Sequence, residues 1–377
     1  MHIAKAEILV LDIPMHDSLI VSFWKIDRLK PIIIKITDEL WNVGYGESIL
    51  LPYPMTPFEY FDTWLTTLKN FIVPAIVWKE IVLSDSIYTT IENFINLYGD
   101  VYGFEMTKSG IQNAFIHLIT QRFNISIYNL FETKNGIIHV WASIGIPQNM
   151  DDYLGKINSF IEKWVQRIKL KIAHWNDILL ISEVRKKFPN VELTIDANCD
   201  YDLKSFLNIV PYIDTSNICM VEQPFAHDNF GANIELKKVM KTPLCLDESI
   251  RSIQDVENYR TNNGCDIVNI KIGRVWWAYS AYKINKYCEA HSIWTWVWWL
   301  LETDLWRSFN IAIAGMSNCK YDSDFSAWDE YYTGHIMKDP YRIDQWRIQI
   351  DFSQKWIGFE IDEEKLEEYT FNKFIYE

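Results

Sequence analysis

The chain has 377 residues, of which 49% are hydrophobic, and a formal net charge of −14. This length allows two domains or one large barrel with additions, and the apolar fraction is enough for a large core. The strong negative charge argues against nucleic acid and against an anionic membrane surface as partners. No apolar stretch approaches the roughly 20 residues that a membrane-spanning helix needs.

The beginning of the sequence and its cysteines favour a cytoplasmic protein. The first residues, MHIAKAEILVLDIP, lack the basic region and the apolar run of a signal peptide. The six cysteines lie far apart and form no CxxC pair. We therefore expect reduced thiols and a cytoplasmic location.

Residues 1–125 predict an α+β domain. Residues 2–13 and 31–37 alternate between apolar and polar side chains in the way that strands do. Apolar residues recur at helical spacing in 57–78, 85–97 and 105–123. Strands followed by helices indicate a unit separate from what comes after.

A repeat dominates the middle of the chain. Five short apolar runs each end on a charged residue, and these residues are 24 to 26 positions apart: Lys171, Asp196, Glu222, Asp247 and Lys271. One strand, one loop and one helix have this length, so the repeat predicts consecutive strands of a (β/α) barrel. The C-terminal ends of such strands form the active site. Three carboxylates that converge there need a cation among them, and Mg²⁺ prefers oxygen ligands.

Three further segments complete the expected barrel. Residues 139–146 would be its first strand, 293–298 its seventh and 319–324 an irregular eighth. From about Tyr341 the chain is polar and strand-like, and then acidic at 362–368. No barrel position remains for this tail, so we expect it to return to the N-terminal domain.

Five motifs carry a family resemblance. They are KLK (169–171), IDAN (195–198), VEQP (221–224), LDES (246–249) and NIKIGR (269–274). In this order and spacing they resemble the muconate-lactonizing subgroup of the enolase superfamily, and most closely the o-succinylbenzoate synthase / N-acylamino acid racemase family. The likeness runs from about residue 22 through 358, and it includes GYGES (44–48), MTKSG (106–110), ASIGI (142–146) and WVWWLLETDLWR (296–307).

The resemblance implies a (β/α)7β TIM-type barrel with an N-terminal α+β capping domain. We expect the capping domain at 1–125, the barrel at 126–340 and a C-terminal segment at 341–377 that returns to the capping domain. A homo-oligomer is expected, although the sequence does not specify the number of subunits.

The resemblance also implies the chemistry of the site. Asp196, Glu222 and Asp247 would hold Mg²⁺, which would bind a substrate carboxylate and stabilise the enediolate formed when the α-proton leaves. Lys171 would be the base on one face of the substrate, and Lys271 the acid or base on the other. The small-molecule substrate would also meet residues around this core, which are Lys169, Ser143, Asn198, Glu248 and Arg274. The loop at 18–25 would close over the substrate.

Two reactions and two classes of function remain open at this point. One lysine with the metal suffices for β-elimination of water, whereas two lysines on opposite faces permit racemisation. Dehydration to o-succinylbenzoate for menaquinone biosynthesis is the leading expectation, and N-succinylamino acid or N-acylamino acid racemisation is the alternative. The other class is a non-catalytic barrel with a filled pocket, which the intact carboxylates and lysines argue against.

The tryptophan content departs from the family pattern. The chain has 17 Trp and 14 Gly, whereas average glycine usage of about 7% gives roughly 26 residues. Thirteen tryptophans stand where the family pattern has glycine, and among them Trp298 and Trp299 would crowd the substrate pocket. The full set is Trp24, Trp41, Trp78, Trp141, Trp164, Trp175, Trp276, Trp277, Trp298, Trp299, Trp306, Trp346 and Trp356.

A codon hypothesis accounts for this pattern. In some organisms the codon UGA encodes glycine. If a gene from such an organism is translated with a code in which UGA encodes tryptophan, each of these glycines becomes tryptophan in the sequence. Trp64 and Trp296 fall where an apolar or aromatic residue is expected and would be genuine, while Trp294 and Trp328 are undecided. The alternative is a divergent protein that is truly rich in tryptophan.

Overall fold

The computed structural model of the protein describes residues 1–21, 24–48, 59–147, 149–299, 302–325 and 332–377. Trp328 and part of the predicted capping loop, residues 22 and 23, lie outside the described residues. Among the described residues, no helix combines the length and the apolar character that crossing a membrane requires.

An antiparallel sheet organises the N-terminal part of the chain. Its strands are β15 (Thr370–Tyr376), β1 (Ile3–Leu11), β4 (Ile32–Asp38) and β5 (Val43–Ser48), in that order. Isoleucines make β4 almost wholly buried, in keeping with the preference of β-branched residues for strands. A separate hairpin consists of β2 (Ile13–Val21) and β3 (Trp24–Leu29).

Helices cover one face of this sheet. In the described part of residues 59–130 they are α1 (Phe61–Thr67), α2 (Val73–Ile76), α3 (Ile87–Ile95), α4 (Glu105–Arg122) and α5 (Ile127–Leu130). Helix α4 packs directly on β5, because a Cβ atom on Gly46 would lie 2.0 Å from the carbonyl oxygen of Gly110. Glycine at this contact allows the two backbones to approach closely. The helices that the sequence predicts at 85–97 and 105–123 are confirmed, with small differences at their ends.

Seven parallel strands form the second sheet. They are β7 (Ala142–Ile144), β8 (Arg167–Lys171), β9 (Glu192–Asp196), β10 (Ile218–Glu222), β11 (Leu244–Leu246), β12 (Ile267–Ile270) and β13 (Trp294–Val297), neighbours in chain order. The intervening helices are α6 (Met150–Glu162), α7 (Asp177–Lys187), α8 (Leu203–Ile213), α9 (Phe230–Lys237), α10 (Ile253–Thr261) and α11 (Ala278–Ala290), and α12 (Asp304–Ala314) follows β13.

The segment at 319–324 closes this sheet into a barrel. It forms parallel bridges to β13 through Cys319 and, next to that strand, through Asp324. On its other side, Ser323 bridges to Val140, just before β7. The predicted irregular eighth strand therefore lies between the seventh strand and the first, and the fold is a TIM-type barrel with an N-terminal cap.

The predicted first barrel strand was too long. Only Ala142–Ile144 pairs with β8, whereas β6 (Ile137–His139) pairs antiparallel with β14 (Arg347–Gln349). The chain changes partner at Val140, whose N–H donates to the carbonyl of Trp346 at 2.9 Å. Alternation of side chains does not reveal such a change of partner, since both pairings use the same strand geometry.

The C-terminal tail divides between the two parts of the fold. The sequence analysis expects the whole tail to return to the N-terminal domain. The portion that contains β14 does not, because β14 pairs with β6 near the barrel. The acidic run forms α13 (Glu363–Tyr369), and β15 then pairs with β1.

Tryptophan occupies unusual backbone conformations in this fold. In the described part of the chain, six of the sixteen non-glycine residues with positive φ are tryptophans: Trp41, Trp78, Trp164, Trp276, Trp346 and Trp356. All six belong to the thirteen positions at which the resemblance leads us to expect glycine, and Trp64 and Trp296 are not among the tryptophans with positive φ. A positive φ is a genuine outlier for a bulky side chain.

Candidate active site

The predicted charged residues meet at one end of the barrel. Lys171, Asp196 and Glu222 are the last residues of β8, β9 and β10, and they are register partners across the sheet. Asp247 and Lys271 follow the last residues of β11 and β12. The side-chain period of two directs Lys169 to the same face of β8 as Lys171.

Lys171 and the Asp196 carboxylate form one side of the site. The Lys171 Nζ donates to Asp196 Oδ2 at 2.5 Å and to Asn198 Oδ1 at 2.6 Å. The Asn198 backbone N–H donates to Asp196 Oδ1 at 3.0 Å, and its side-chain amide donates to Glu248 Oε1 at 3.3 Å. Asn198 therefore connects the lysine with two carboxylates.

Lys271 and Arg274 form the opposite side. The Lys271 Nζ donates to Asp247 Oδ2 at 2.7 Å, and the Arg274 guanidinium donates to Asp247 Oδ1. Arg274 is held by two backbone carbonyls, those of Ile250 and Asn269, each at 2.8 Å. The structure thus brings Arg274 into the site as a partner of Asp247.

Lys169, two residues before Lys171, is fully buried. Its Nζ is 3.2 Å from Asp324 Oδ2, 3.4 Å from Glu222 Oε2 and 3.6 Å from Asp196 Oδ2. Glu222 also accepts a hydrogen bond from the Asn269 amide at 2.8 Å. An ammonium group therefore stands where three carboxylates converge.

The electrostatics of the carboxylates follow from burial and from these partners. Burial alone would raise the pKa of Asp247, but Arg274 and Lys271 outweigh it and hold that pKa well below its usual range. Burial likewise opposes the effect of Lys171 and Lys169 on Asp196, whose pKa is lowered. Burial, together with the neighbouring Asp196, raises the pKa of Glu222 to about 8. The two carboxylates with closely paired cations thus keep their charge most readily.

The indole ring of Trp298 occupies the middle of the site. Its centroid lies 3.3 Å from the Nζ of Lys169, 3.7 Å from that of Lys271 and 4.6 Å from that of Lys171. Cations are attracted to an aromatic face, so the ring stabilises this arrangement while it fills the space that the lysines share. The ring thus lies among the lysines at which the sequence analysis expects the substrate pocket, as predicted for Trp298.

The remaining predicted residues are near this centre with fewer contacts. Ser143 is exposed on β7 and is the register partner of Lys169. Burial and the adjacent Asp247 raise the pKa of Glu248 to about 7.

Sequence reasoning missed three polar residues of the site. Asp324 pairs with Lys169, Asn269 donates to Glu222, and Gln223 accepts the Asp247 backbone N–H at 2.9 Å. The signal for Asp324 was present, because it is an acidic residue at the end of the predicted eighth strand. Asn269 precedes Lys271 by two positions and so shares its face.

The carboxylates of Asp196, Glu222 and Asp247 are suitable ligands for a divalent cation, although their oxygens do not converge on one point in this structure. Asp196, Glu222 and Asp247 are each 0% exposed and offer only oxygen ligands, as Mg²⁺ prefers. Among the described residues, no three carboxylate, imidazole or thiol groups are close enough together to hold one metal ion. The Lys169 ammonium pairs with two of the three, Asp196 and Glu222.

Comparison with known proteins finds relatives along most or all of the chain. An o-succinylbenzoate synthase from Listeria innocua is 29% identical over 98% of this chain and 96% of its own length. An N-succinylamino acid racemase from Amycolatopsis is 28% identical over 78% of each chain. The crystal structure of an enolase-superfamily member from Listeria innocua superposes with a TM-score of 0.91 at 29% identity, covering 100% of this chain and 99% of the other.

Fold and site together define a class, namely capped barrel enzymes that carry their polar residues at the C-terminal ends of the strands. The family model described as "Enolase C-terminal domain-like" matches residues 155–365, more than half of the chain. The chain belongs to this family, within the enolase superfamily.

Proposed function

We propose that the protein is a Mg²⁺-dependent enzyme that removes a proton from the carbon next to a substrate carboxylate. The arrangement of two lysines carries this proposal. Lys171 on β8 and Lys271 after β12 come from opposite sides of the carboxylate-bearing strands, and both face the space of the Trp298 ring. A substrate carbon held in that space would have an amine on each side.

Asp196, Glu222 and Asp247 would hold the Mg²⁺ ion. When bound, the ion supplies positive charge for the substrate carboxylate and for the negative charge that develops beside it. Asn269 and Gln223 keep two of these residues in place through their hydrogen bonds to Glu222 and to the Asp247 backbone. Oxygen ligands on three adjacent strands support this assignment.

Within this class, the reaction we propose is the dehydration that forms o-succinylbenzoate, a step of menaquinone biosynthesis. Lys171 would take the α-proton, and the β-hydroxyl group would leave as water. The support is the full-length similarity to o-succinylbenzoate synthases.

The six cysteine thiols are free, which supports a reducing, cytoplasmic setting.

Racemisation of an N-succinylamino acid is the second candidate. The same two-sided lysine arrangement favours it, since one amine could remove the α-proton and the other could return a proton to the opposite face. The similarity to an N-succinylamino acid racemase supports it as well.

Two assays on one preparation separate the candidates. The Mg²⁺-loaded protein is given the β-hydroxy acid whose dehydration yields o-succinylbenzoate, and in parallel an N-succinyl-L-amino acid. We expect the dehydration to show the higher kcat/KM. Racemisation at the higher kcat/KM would reverse the assignment, and a folded, metal-loaded protein that is inactive in both assays would refute it.

A further inference from the structure

The turn that contains Trp346 has a geometry that tryptophan does not favour. Asp344 and Arg347 exchange both backbone hydrogen bonds at 2.9 Å, which leaves Gln345 and Trp346 as a two-residue turn. Their φ angles are 47° and 60°. These angles correspond to a type I′ turn, in which glycine is strongly preferred at the second central position.

Trp164 shows the same mismatch at the end of a helix. After α6, the Trp164 N–H donates to the Ile161 carbonyl at 2.9 Å, and the Val165 N–H donates to the Phe160 carbonyl at 3.1 Å. This pair of bonds is a Schellman motif, and Trp164 occupies its left-handed position with φ of 69°. Glycine is the usual residue there because it has no Cβ atom.

Five of the six side chains at these positions are exposed, whereas Trp346 is partly buried and packs against the Phe160 ring. The exposed fractions are 80% for Trp41, 59% for Trp78, 81% for Trp164, 42% for Trp276 and 37% for Trp356. Trp64 and Trp296, in contrast, are buried within a helix and a strand and have no left-handed backbone. The chain therefore contains two kinds of tryptophan position, one in which packing needs the ring and one in which the backbone is suited to glycine.

The Trp298 ring provides a second, independent observation. Its centroid lies within 5 Å of the amines of Lys171, Lys271 and Lys169, at 4.6, 3.7 and 3.3 Å, so the ring occupies the space that these lysines share. A residue without a side chain at this position would leave that space open to a substrate and a cation.

We propose that glycine is the residue at position 298 and at the six left-handed tryptophan positions in the polypeptide that the cell makes. A UGA codon accounts for all seven, because reassigned genetic codes read UGA as glycine in some organisms and as tryptophan in others. Position 298 would then decide whether the site admits its ligands. The part that concerns position 298 rests on the proposed function, whereas the left-handed positions do not.

Codons and peptide masses test the proposal without any assay of activity. We expect UGA at codons 41, 78, 164, 276, 298, 346 and 356, and UGG at codons 64 and 296. Peptides of the protein isolated from its own cells should give the mass of glycine at the first seven positions and that of tryptophan at the last two. Tryptophan masses at the seven positions would overturn the proposal.

Binding of Mg²⁺ tests the role assigned to position 298. Two full-length proteins are compared, both with glycine at the six left-handed positions, one with Trp298 and one carrying Trp298→Gly. We expect calorimetric titration with Mg²⁺ alone to detect binding to the Trp298→Gly protein and at least tenfold weaker binding to the other. Equal affinity in two folded proteins would remove position 298 from the control of the site.

The two proposals fail in different ways. Glycine masses and Mg²⁺ binding together with no dehydration or racemisation would refute the proposed function and leave this inference intact. Dehydration by a protein whose peptides carry tryptophan at position 298 would do the reverse.

Discussion

Lys171 is the residue whose proposed chemistry can be tested most directly. Its Nζ faces the shared space from β8 and is oriented by Asp196 and Asn198. Lys271 reaches the same space from the other side, so the loss of one lysine should stop proton removal on one face only.

In a preparation whose parent protein is active, replacing Lys171 with alanine is expected to abolish solvent-deuterium exchange of a substrate α-proton that faces Lys171. A positioned general base contributes about 10²- to 10⁴-fold to the rate. We therefore expect the exchange rate of the variant to be lower than that of the parent protein by at least about 10²-fold. NMR of the substrate in D₂O gives the measurement. Lys186→Ala, an exposed lysine of α7, serves as the control and should exchange normally. Unchanged exchange in Lys171→Ala would exclude this lysine as the base.

Asp324 gives a second test at this scale, of stability rather than catalysis. Its carboxylate is the nearest of the three around the buried Lys169 Nζ. Asp324→Asn leaves that ammonium with less compensation, and we expect a loss of about 1–3 kcal/mol in the free energy of unfolding. Urea unfolding measures it, with Asp322→Asn two residues away as the control.

A double variant shows whether the loss acts through Lys169. In the Lys169→Met background, which has no buried ammonium, Asp324→Asn should cost much less. An equal cost in both backgrounds would mean that Asp324 acts through other contacts.

The sequence predicted the charges of the site but not their pairing. Lys171, Asp196, Glu222, Asp247 and Lys271 are identifiable because each ends or follows a strand, and strand ends meet in a parallel barrel. Asp324 stands at the end of the predicted eighth strand, but its described segment forms only isolated bridges, and the sequence does not show that its carboxylate pairs with Lys169. That Lys169 is the ammonium among the carboxylates depends on side-chain distances that periodicity does not contain.

Among the elements, the end of α6 has a left-handed position that normally carries glycine, yet the residue there is Trp164. A bulky residue in the left-handed region costs of order 1–3 kcal/mol, and glycine removes that strain at some cost in the entropy of the unfolded chain. Trp164 is 81% exposed, so little packing is lost with the ring.

We therefore expect Trp164→Gly to raise the free energy of unfolding by about 1 kcal/mol. Trp64→Gly, at a buried position of α1, should instead lower it by about 3–5 kcal/mol. Urea unfolding of the two variants beside the parent protein measures both changes. A loss of stability in Trp164→Gly would show that its ring stabilises the fold through contacts with solvent-exposed neighbours.

The barrel strands were predictable as elements because apolar runs and helices alternate at a constant period. The first strand was predicted at 139–146, but only Ala142–Ile144 pairs with β8, and His139 belongs to β6, which pairs with β14. The pairing of β6 with β14 depends on where the C-terminal tail lies. The local sequence near β6 does not show which strand it pairs with.

At the scale of the whole molecule, a buried carboxylate joins the N-terminal sheet to the barrel. Glu47 on β5 accepts hydrogen bonds from the Thr303 backbone N–H at 3.1 Å and from the Thr303 hydroxyl at 2.5 Å. Thr303 immediately precedes α12, which follows the seventh barrel strand. Because Glu47 is 1% exposed, its ionisation state affects the contact between the two parts.

Stability should therefore depend on pH through Glu47. Burial first, and then Glu302 and Asp304, raise the pKa of Glu47 from 4.5 to about 8, against the lowering effect of Thr303. Between these pH values the folded state keeps a proton that the unfolded chain has released, so stability falls as pH rises, by up to about 1.4 kcal/mol per pH unit. We expect Glu47→Gln to flatten this dependence in urea unfolding at pH 5, 6.5 and 8, and the exposed Glu162→Gln to leave it unchanged. Parallel losses in the parent protein and in Glu47→Gln would assign the dependence to another group.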